Sequence, residues 1–189
     1  MTTWEAIAMI LAIAYLLLAI KQSLWCWVAA FFSTLIYSII FFDVSLLMDS
    51  ALNIYYLVMA VYGWYVWKYG NNIKTKELEI SSYGLSKNIK IITVLAGIST
   101  ILGFFMDNYT NADFAYIDSF TTVFAIFSTY MLAQKIIENW IYWIVIDSVS
   151  IYIYIQKGLN LTAILFLIYT ILAIVAYKKW KSDYEHQRA

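Results

Sequence analysis

DVSLLMDSALNIYYLVMAVYGWYVW, residues 43–67, aligns without a gap on QKGLNLTAILFLIYTILAIVAYKKW, residues 156–180. Each run can cross a bilayer as a helix, which takes about 20 apolar residues. Leu46, Leu52, Tyr56, Ala60 and Trp67 stand opposite Leu159, Leu165, Tyr169, Ala173 and Trp180, each 113 residues on. The same offset links Glu5 to Asp118 and Ala12–Ile13 to Ala125–Ile126. An offset of 115 links Trp25, Ser33 and Tyr37 to Trp140, Ser148 and Tyr152. Single matches in an apolar alphabet carry little, but together they predict two related three-helix units.

Outward from that pair, apolar runs at 4–20, 24–42, 45–67, 89–106, 115–134, 139–156 and 159–177 predict an all-α integral membrane protein with seven transmembrane helices. Residues 1–67 form the first expected three-helix repeat, and 68–88 the one long loop, expected to be cytoplasmic. Residues 89–106 form a linker helix, 107–180 the second repeat, and 181–189 a cytoplasmic tail. Corresponding helices are four spans apart, an even number, so both units enter the membrane from the same side. The expectation is a 3+1+3 parallel pseudo-repeat with a substrate path between its halves.

Composition excludes several classes. Of 189 residues, 63% are hydrophobic and 13% charged, too few charges to cover a soluble surface. Twelve basic and twelve acidic residues cancel, and no basic stripe suggests nucleic acid as a partner. The single cysteine, Cys26, excludes internal disulfides and thiolate metal clusters. The N-terminus has no basic region or clear cleavage site, so the first apolar segment is expected to be retained. Every lysine lies in a loop, at a helix end or in the tail, which excludes a retinal Schiff base within a span. His186, the one histidine, falls in the polar tail YEHQRA, where it is expected to be solvated. No catalytic constellation and no Gly-rich phosphate loop occurs, so neither an enzyme nor an ATP-driven pump is expected, and no cofactor or metal.

Charge also orients the chain. With alternating loops, one side receives Lys21, Lys68, Lys74, Lys76, Lys87, Lys90, Lys135, Lys178, Lys179, Lys181 and Arg188; the other receives only Lys157. That asymmetry places the N-terminus outside and the C-terminus in the cytoplasm. Most tryptophans then fall at cytoplasmic helix ends, as in an interfacial aromatic belt.

Polar residues inside the spans point to a site, because ionisable groups are costly in lipid and usually face a cavity or a partner. In ENWIYWIVIDSVS, residues 138–150, Asn139, Trp143 and Asp147 share one helical face at i, i+4 and i+8. Asp147 sits near mid-membrane; Asp49 and Asp118 lie about one turn below the outer surface, with no basic residue expected at similar depth to any of the three. Asn53 and Tyr56 share a face with Asp49, and Ser33 lies one turn from Tyr37. Aromatic faces attract cations and stack on planar rings, so this set suits a flat, positively charged heterocycle bearing hydroxyl groups.

ENWIYWIVIDSVS followed by KGLNLTAILF, YGWYVW at 62–67 and IDS at 117–119 resemble the PnuC family of bacterial vitamin transporters over residues 4–180. The resemblance implies a fold related to the sugar-exporting SWEET proteins, a homo-oligomer (commonly a trimer) and an inner-membrane location. It also implies facilitated diffusion with trapping by a cytoplasmic kinase that phosphorylates the vitamin. Carried over by motif, Asn139, Trp140 and Trp143 would line the central site. Family members carry nicotinamide riboside, and relatives carry thiamine or riboflavin. Asp147 and Asn53 stand where nicotinamide riboside carriers tend to have Asn and Gln, which inclines the reading slightly towards thiamine. Nicotinamide riboside uniport and proton-coupled carriage are the alternatives.

Overall fold

The seven apolar runs become seven helices among the described residues: α1 (Thr3–Ile20), α2 (Trp25–Asp43), α3 (Leu47–Tyr69), α4 (Gly84–Tyr109), α5 (Ala115–Ala133), α6 (Asn139–Gln156) and α7 (Asn160–Arg188). The computed structural model describes residues 3–43, 47–70, 78–110 and 114–188, and at 47–49 and 161 the backbone alone. Helices α1, α2, α4 and most of α7 are long and apolar enough to cross a membrane. Helices α3, α5 and α6 have comparable lengths of 23, 19 and 18 residues. Their polar residues, Asp147 and Asn53 among them, lower the apolarity.

Two boundaries differ from the sequence reading. Helix α4 starts at Gly84 rather than 89 because its first backbone N–H groups find an acceptor. Glu138 Oε1 receives the Tyr83 and Gly84 amides, both at 3.1 Å, and the Ser82 hydroxyl at 2.6 Å. A carboxylate there also meets the positive end of the helix dipole. Helix α7 continues to Arg188, past the expected end of the seventh span at 177, so residues 181–188 are helical. Basic residues in the last turn suit the negative end of that helix. His186 is exposed, its Nδ1 2.6 Å from the Ser182 carbonyl.

The chain packs as two units. One comprises Met1–Ile80, Leu132–Lys135 and Ser182–Ala189, and the other Ser81–Met131 and Ile136–Lys181. Residues 132–135 and 182–189 thus pack with the first unit, away from their neighbours in sequence. The reason is side-chain bonding: Trp67 Nε1 donates to the Ala133 carbonyl at 3.1 Å, and the Ile80 amide to Gln187 Oε1 at 3.2 Å.

In the first unit α2 packs against both α1 and α3. Its interior is built from small residues, with Ala8 and Ala19 on α1 and Ala29, Ala30 and Ser33 on α2. Large apolar side chains such as Ile10, Phe32 and Ile39 point outward. This suits a bilayer, where lipid is as apolar as leucine and close backbone approach drives helix association. Ser33 Oγ donates to the Ala8 carbonyl and Ser50 Oγ to the Ser38 carbonyl, each at 2.9 Å. The Trp27 ring covers Gly63, where any Cβ would overlap the indole.

In the second unit Leu95, Val123, Phe124, Met131, Tyr142 and Ile146 form an apolar cluster. Helix α4 offers it a narrow stripe, Asn88, Leu95, Ser99 and Gly103. Gly103 permits the contact with α5, since a Cβ there would lie 2.9 Å from the Tyr116 Cα. Tyr142 Oη donates to Asn88 Oδ1 at 3.1 Å, and Asn88 Nδ2 donates to Glu138 Oε1 at 3.3 Å.

The turn after α1 recurs after α5 bond for bond. Gln22 N donates to Ala19 O and Ser23 N to Leu18 O; 113 residues on, Lys135 N donates to Leu132 O and Ile136 N to Met131 O. Both turns are Schellman closures whose left-handed residue is not glycine, with φ 54° at Gln22 and 51° at Lys135. Left-handed backbone costs such a residue on the order of 1–2 kcal/mol. Beyond each turn a buried indole meets another edge-on, Trp27 on Trp67 at 5.3 Å and 85°, Trp140 on Trp180 at 5.4 Å and 83°. Trp140 matches Trp27, because Trp25 is 69% exposed and takes no part in the pair.

Candidate functional site

The first turns of α6 gather polar groups with no protein partner. The α5–α6 turn ends in Ile136, whose carbonyl accepts the Asn139 Nδ2 at 2.6 Å and so fixes the amide plane. Asn139 Oδ1 is then buried without a donor, and Trp140 Nε1 without an acceptor. Two turns on, the Asp147 carboxylate is 5% exposed and has no hydrogen-bond or ion-pair partner among the described residues. At 100° per residue these three and Trp143 fall within a 100° arc of α6. Trp143 is half-buried, packed against the apolar cluster of the second unit.

An unpaired buried amide or indole costs about 1–3 kcal/mol, and an unpaired carboxylate more. A sequence tuned only for folding would have apolar residues here. The arrangement places one carboxyl group, one acceptor, one N–H donor and an aromatic wall on one face. Among the described residues no three His, Cys, Asp or Glu side chains are grouped to hold a metal.

The other expected positions divide. Ser33 and Tyr37 on α2 serve the first unit: the Ser33 hydroxyl proton is committed to Ala8, and Tyr37 stacks on Phe41 at 5.6 Å and 16°. Asn53 and Tyr56 are half-buried on α3, with Tyr56 tilted against Tyr55 at 5.7 Å. Asp118 corrects the sequence reading, because it has a basic partner after all: Lys157 Nζ lies 4.0 Å from its Oδ2. Lys157 follows directly on α6, and its long stem brings the charge back to the start of α5. Asp118 is thus one half of an exposed ion pair rather than an unpaired carboxylate. The side chain of Asp49 lies outside the described residues.

Two residues were missed. Trp27 is 2% exposed and its Nε1 has no acceptor, as at Trp140. The offset of 113 applied throughout would have found it. Glu138 reads as a motif residue in sequence, yet it holds the start of α4 beside that of α6. No local signal marks that role, since the amides it caps lie more than fifty residues away.

Residues 2–182 match the family model described as nicotinamide mononucleotide transporter. The chain is similar to the nicotinamide riboside transporter PnuC of Escherichia coli (strain K12), 23% identical over 169 residues, covering 77% of this chain and 71% of that one. It is also similar to the riboflavin/roseoflavin transporter RibM of Streptomyces davaonensis, 22% identical over 179 residues, covering 93% and 83%. Among solved structures, the crystal structure of the vitamin B3 transporter PnuC superposes with a TM-score of 0.76 at 15% identity, over 97% of this chain and 82% of that one.

Proposed function

The chain belongs to the nicotinamide mononucleotide transporter family, and from that premise we propose that it carries nicotinamide riboside inward by facilitated diffusion. The observation that carries the reading is the set of unpartnered polar groups on α6, Asn139 Oδ1, Trp140 Nε1 and the Asp147 carboxylate. Nicotinamide riboside offers a matching set: a pyridinium charge, a carboxamide and ribose hydroxyls. Asp147 balances the pyridinium. Asn139 accepts from a hydroxyl or the carboxamide N–H, and Trp140 donates to an oxygen. A cation over an indole face adds about 0.5–2 kcal/mol, a role for Trp143. The names of the similar transporters favour nicotinamide riboside over the thiamine to which Asp147 and Asn53 incline the sequence reading.

Several finer features belong to the same proposal. The units are a 3+1+3 parallel pseudo-repeat with α4 as linker, a reading supported by the matched turns and tryptophan pairs. The N-terminus lies outside and the C-terminus in the cytoplasm, as lysine placement requires. A homo-oligomer, and a cytoplasmic kinase that phosphorylates and so traps the substrate, complete the picture.

The test is calorimetric titration of the purified protein with nicotinamide riboside, thiamine and riboflavin, followed by uptake into liposomes. Nicotinamide riboside should bind in the micromolar range, and Asp147→Ala should weaken it on the order of 100-fold, as for a lost charge-assisted contact. Tighter thiamine binding would transfer the assignment to thiamine. A buried carboxylate without a protein partner also suits a proton-coupled carrier; uptake unchanged when a pH gradient is dissipated would dismiss that reading.

A further inference from the structure

The two left-handed residues of the matched turns, Gln22 and Lys135, meet each other in the first unit. Each occupies the turn position where glycine would leave the backbone unstrained. Strain of this kind persists only where the surrounding structure over-determines it, and it clusters at switch regions and clamps. Lys135 Nζ donates to Gln22 Oε1 at 3.2 Å, and Gln22 Nε2 donates to Asp183 Oδ2 at 2.9 Å. Lys135 is 6% exposed, its ammonium 4.8 Å from the Trp67 ring centroid. Gln134 Nε2 donates to the Tyr62 hydroxyl at 2.6 Å beside it. Three chain segments distant in sequence, the α1–α2 turn, the α5–α6 turn and the end of α7, are therefore tied by polar bonds.

We propose that Gln22, Lys135 and Asp183 form a latch at the cytoplasmic end of the first unit, opened and re-formed in each transport cycle. The proposal rests on the carrier reading and on the orientation that puts both turns in the cytoplasm. A staple meant only for stability would combine apolar packing with glycine turns. Here the joint uses charged and amide groups, which exchange each other for water at small cost. One substitution separates the two roles: glycine at 22 or 135 removes the latch bond and relaxes the backbone at once.

Cys26 is a native reporter, the one cysteine in the chain, fully buried, its amide bonded to Ser23 O within the same turn. Full-length Q22G, K135G and K135R are labelled with a membrane-impermeant maleimide in inside-out and right-side-out vesicles. The glycine variants should react on the order of tenfold faster from the cytoplasmic face only, a typical size for a coupling between two conformations. Their thermal midpoints in detergent should be unchanged or higher, and K135R should keep the parental labelling rate. Unchanged labelling in both glycine variants overturns the latch. Faster labelling from both faces with a lowered midpoint also overturns it, since that is the behaviour of a structural staple. Labelling needs no substrate, so absent nicotinamide riboside flux would remove the substrate assignment while the Cys26 rates still decide the latch.

Discussion

Residues 18–27 and 131–140 have the same backbone and different chemistry. Their turns repeat hydrogen bond for hydrogen bond, yet the one identity among the matched positions is Trp27 with Trp140. Where the first segment has Trp25 and Cys26, the second has Glu138 and Asn139. The contrast continues up the helix: Thr34 returns its hydroxyl to the Ala30 carbonyl at 2.8 Å, while the matching Asp147 finds no partner among the described residues. Ala30 likewise matches Trp143. The lesson is that the turn and the indole pair recur in both places, each with an unpartnered indole N–H, whereas the buried amide of Asn139 and the carboxyl group of Asp147 occur only in the second. A helix can take on unpaired polar groups only when its frame is secured elsewhere, here by the Schellman turn and the edge-on indoles.

The comparison can be broken by substitution, and the largest effect should come from packing. Gly63→Ala forces a methyl into the Trp27 ring and should cost about 1–3 kcal/mol by thermal unfolding in detergent. The matched Ala176→Gly should cost about 1 kcal/mol or less, since it opens space at a helix position. Equal losses would mean that the indoles are not seated alike. Next, Trp140→Phe should raise the dissociation constant for nicotinamide riboside about tenfold, the worth of one hydrogen bond. Trp27→Phe should leave that constant unchanged, and a loss at both positions would spread recognition over both segments. Smallest is Glu138→Ala, expected to cost about 1 kcal/mol by removing the α4 cap, against under about 0.5 kcal/mol for the exposed Trp25→Ala.

Legibility in the sequence followed the range of the interaction. Helix positions were readable because apolar runs are local, and α2, α5 and α6 end within a residue or two of the expected limits. The start of α4 was not, because its cap comes from Glu138 beyond another helix. Asp147, Asn139 and Trp143 could be grouped from helical spacing alone. That Asp118 has a cation beside it could not, since Lys157 lies a whole helical hairpin away in sequence. Ser33 shows the converse: its chemistry suggested a ligand, and its neighbour Ala8 claims the proton.

What the sequence determined by itself is what the bilayer imposes on any chain: seven helical segments, their lengths, and the face of α6 on which polar groups gather. Those follow from residue type and from a period of 3.6, which need no knowledge of neighbours. Which of those polar groups stay unpaired, which indoles pair, and which turns bear strain were decided by tertiary contacts alone. A hydrogen bond is won by whichever partner arrives at about 3 Å, and only the folded chain brings Lys135 to Gln22 or leaves Asp147 without a mate among the described residues.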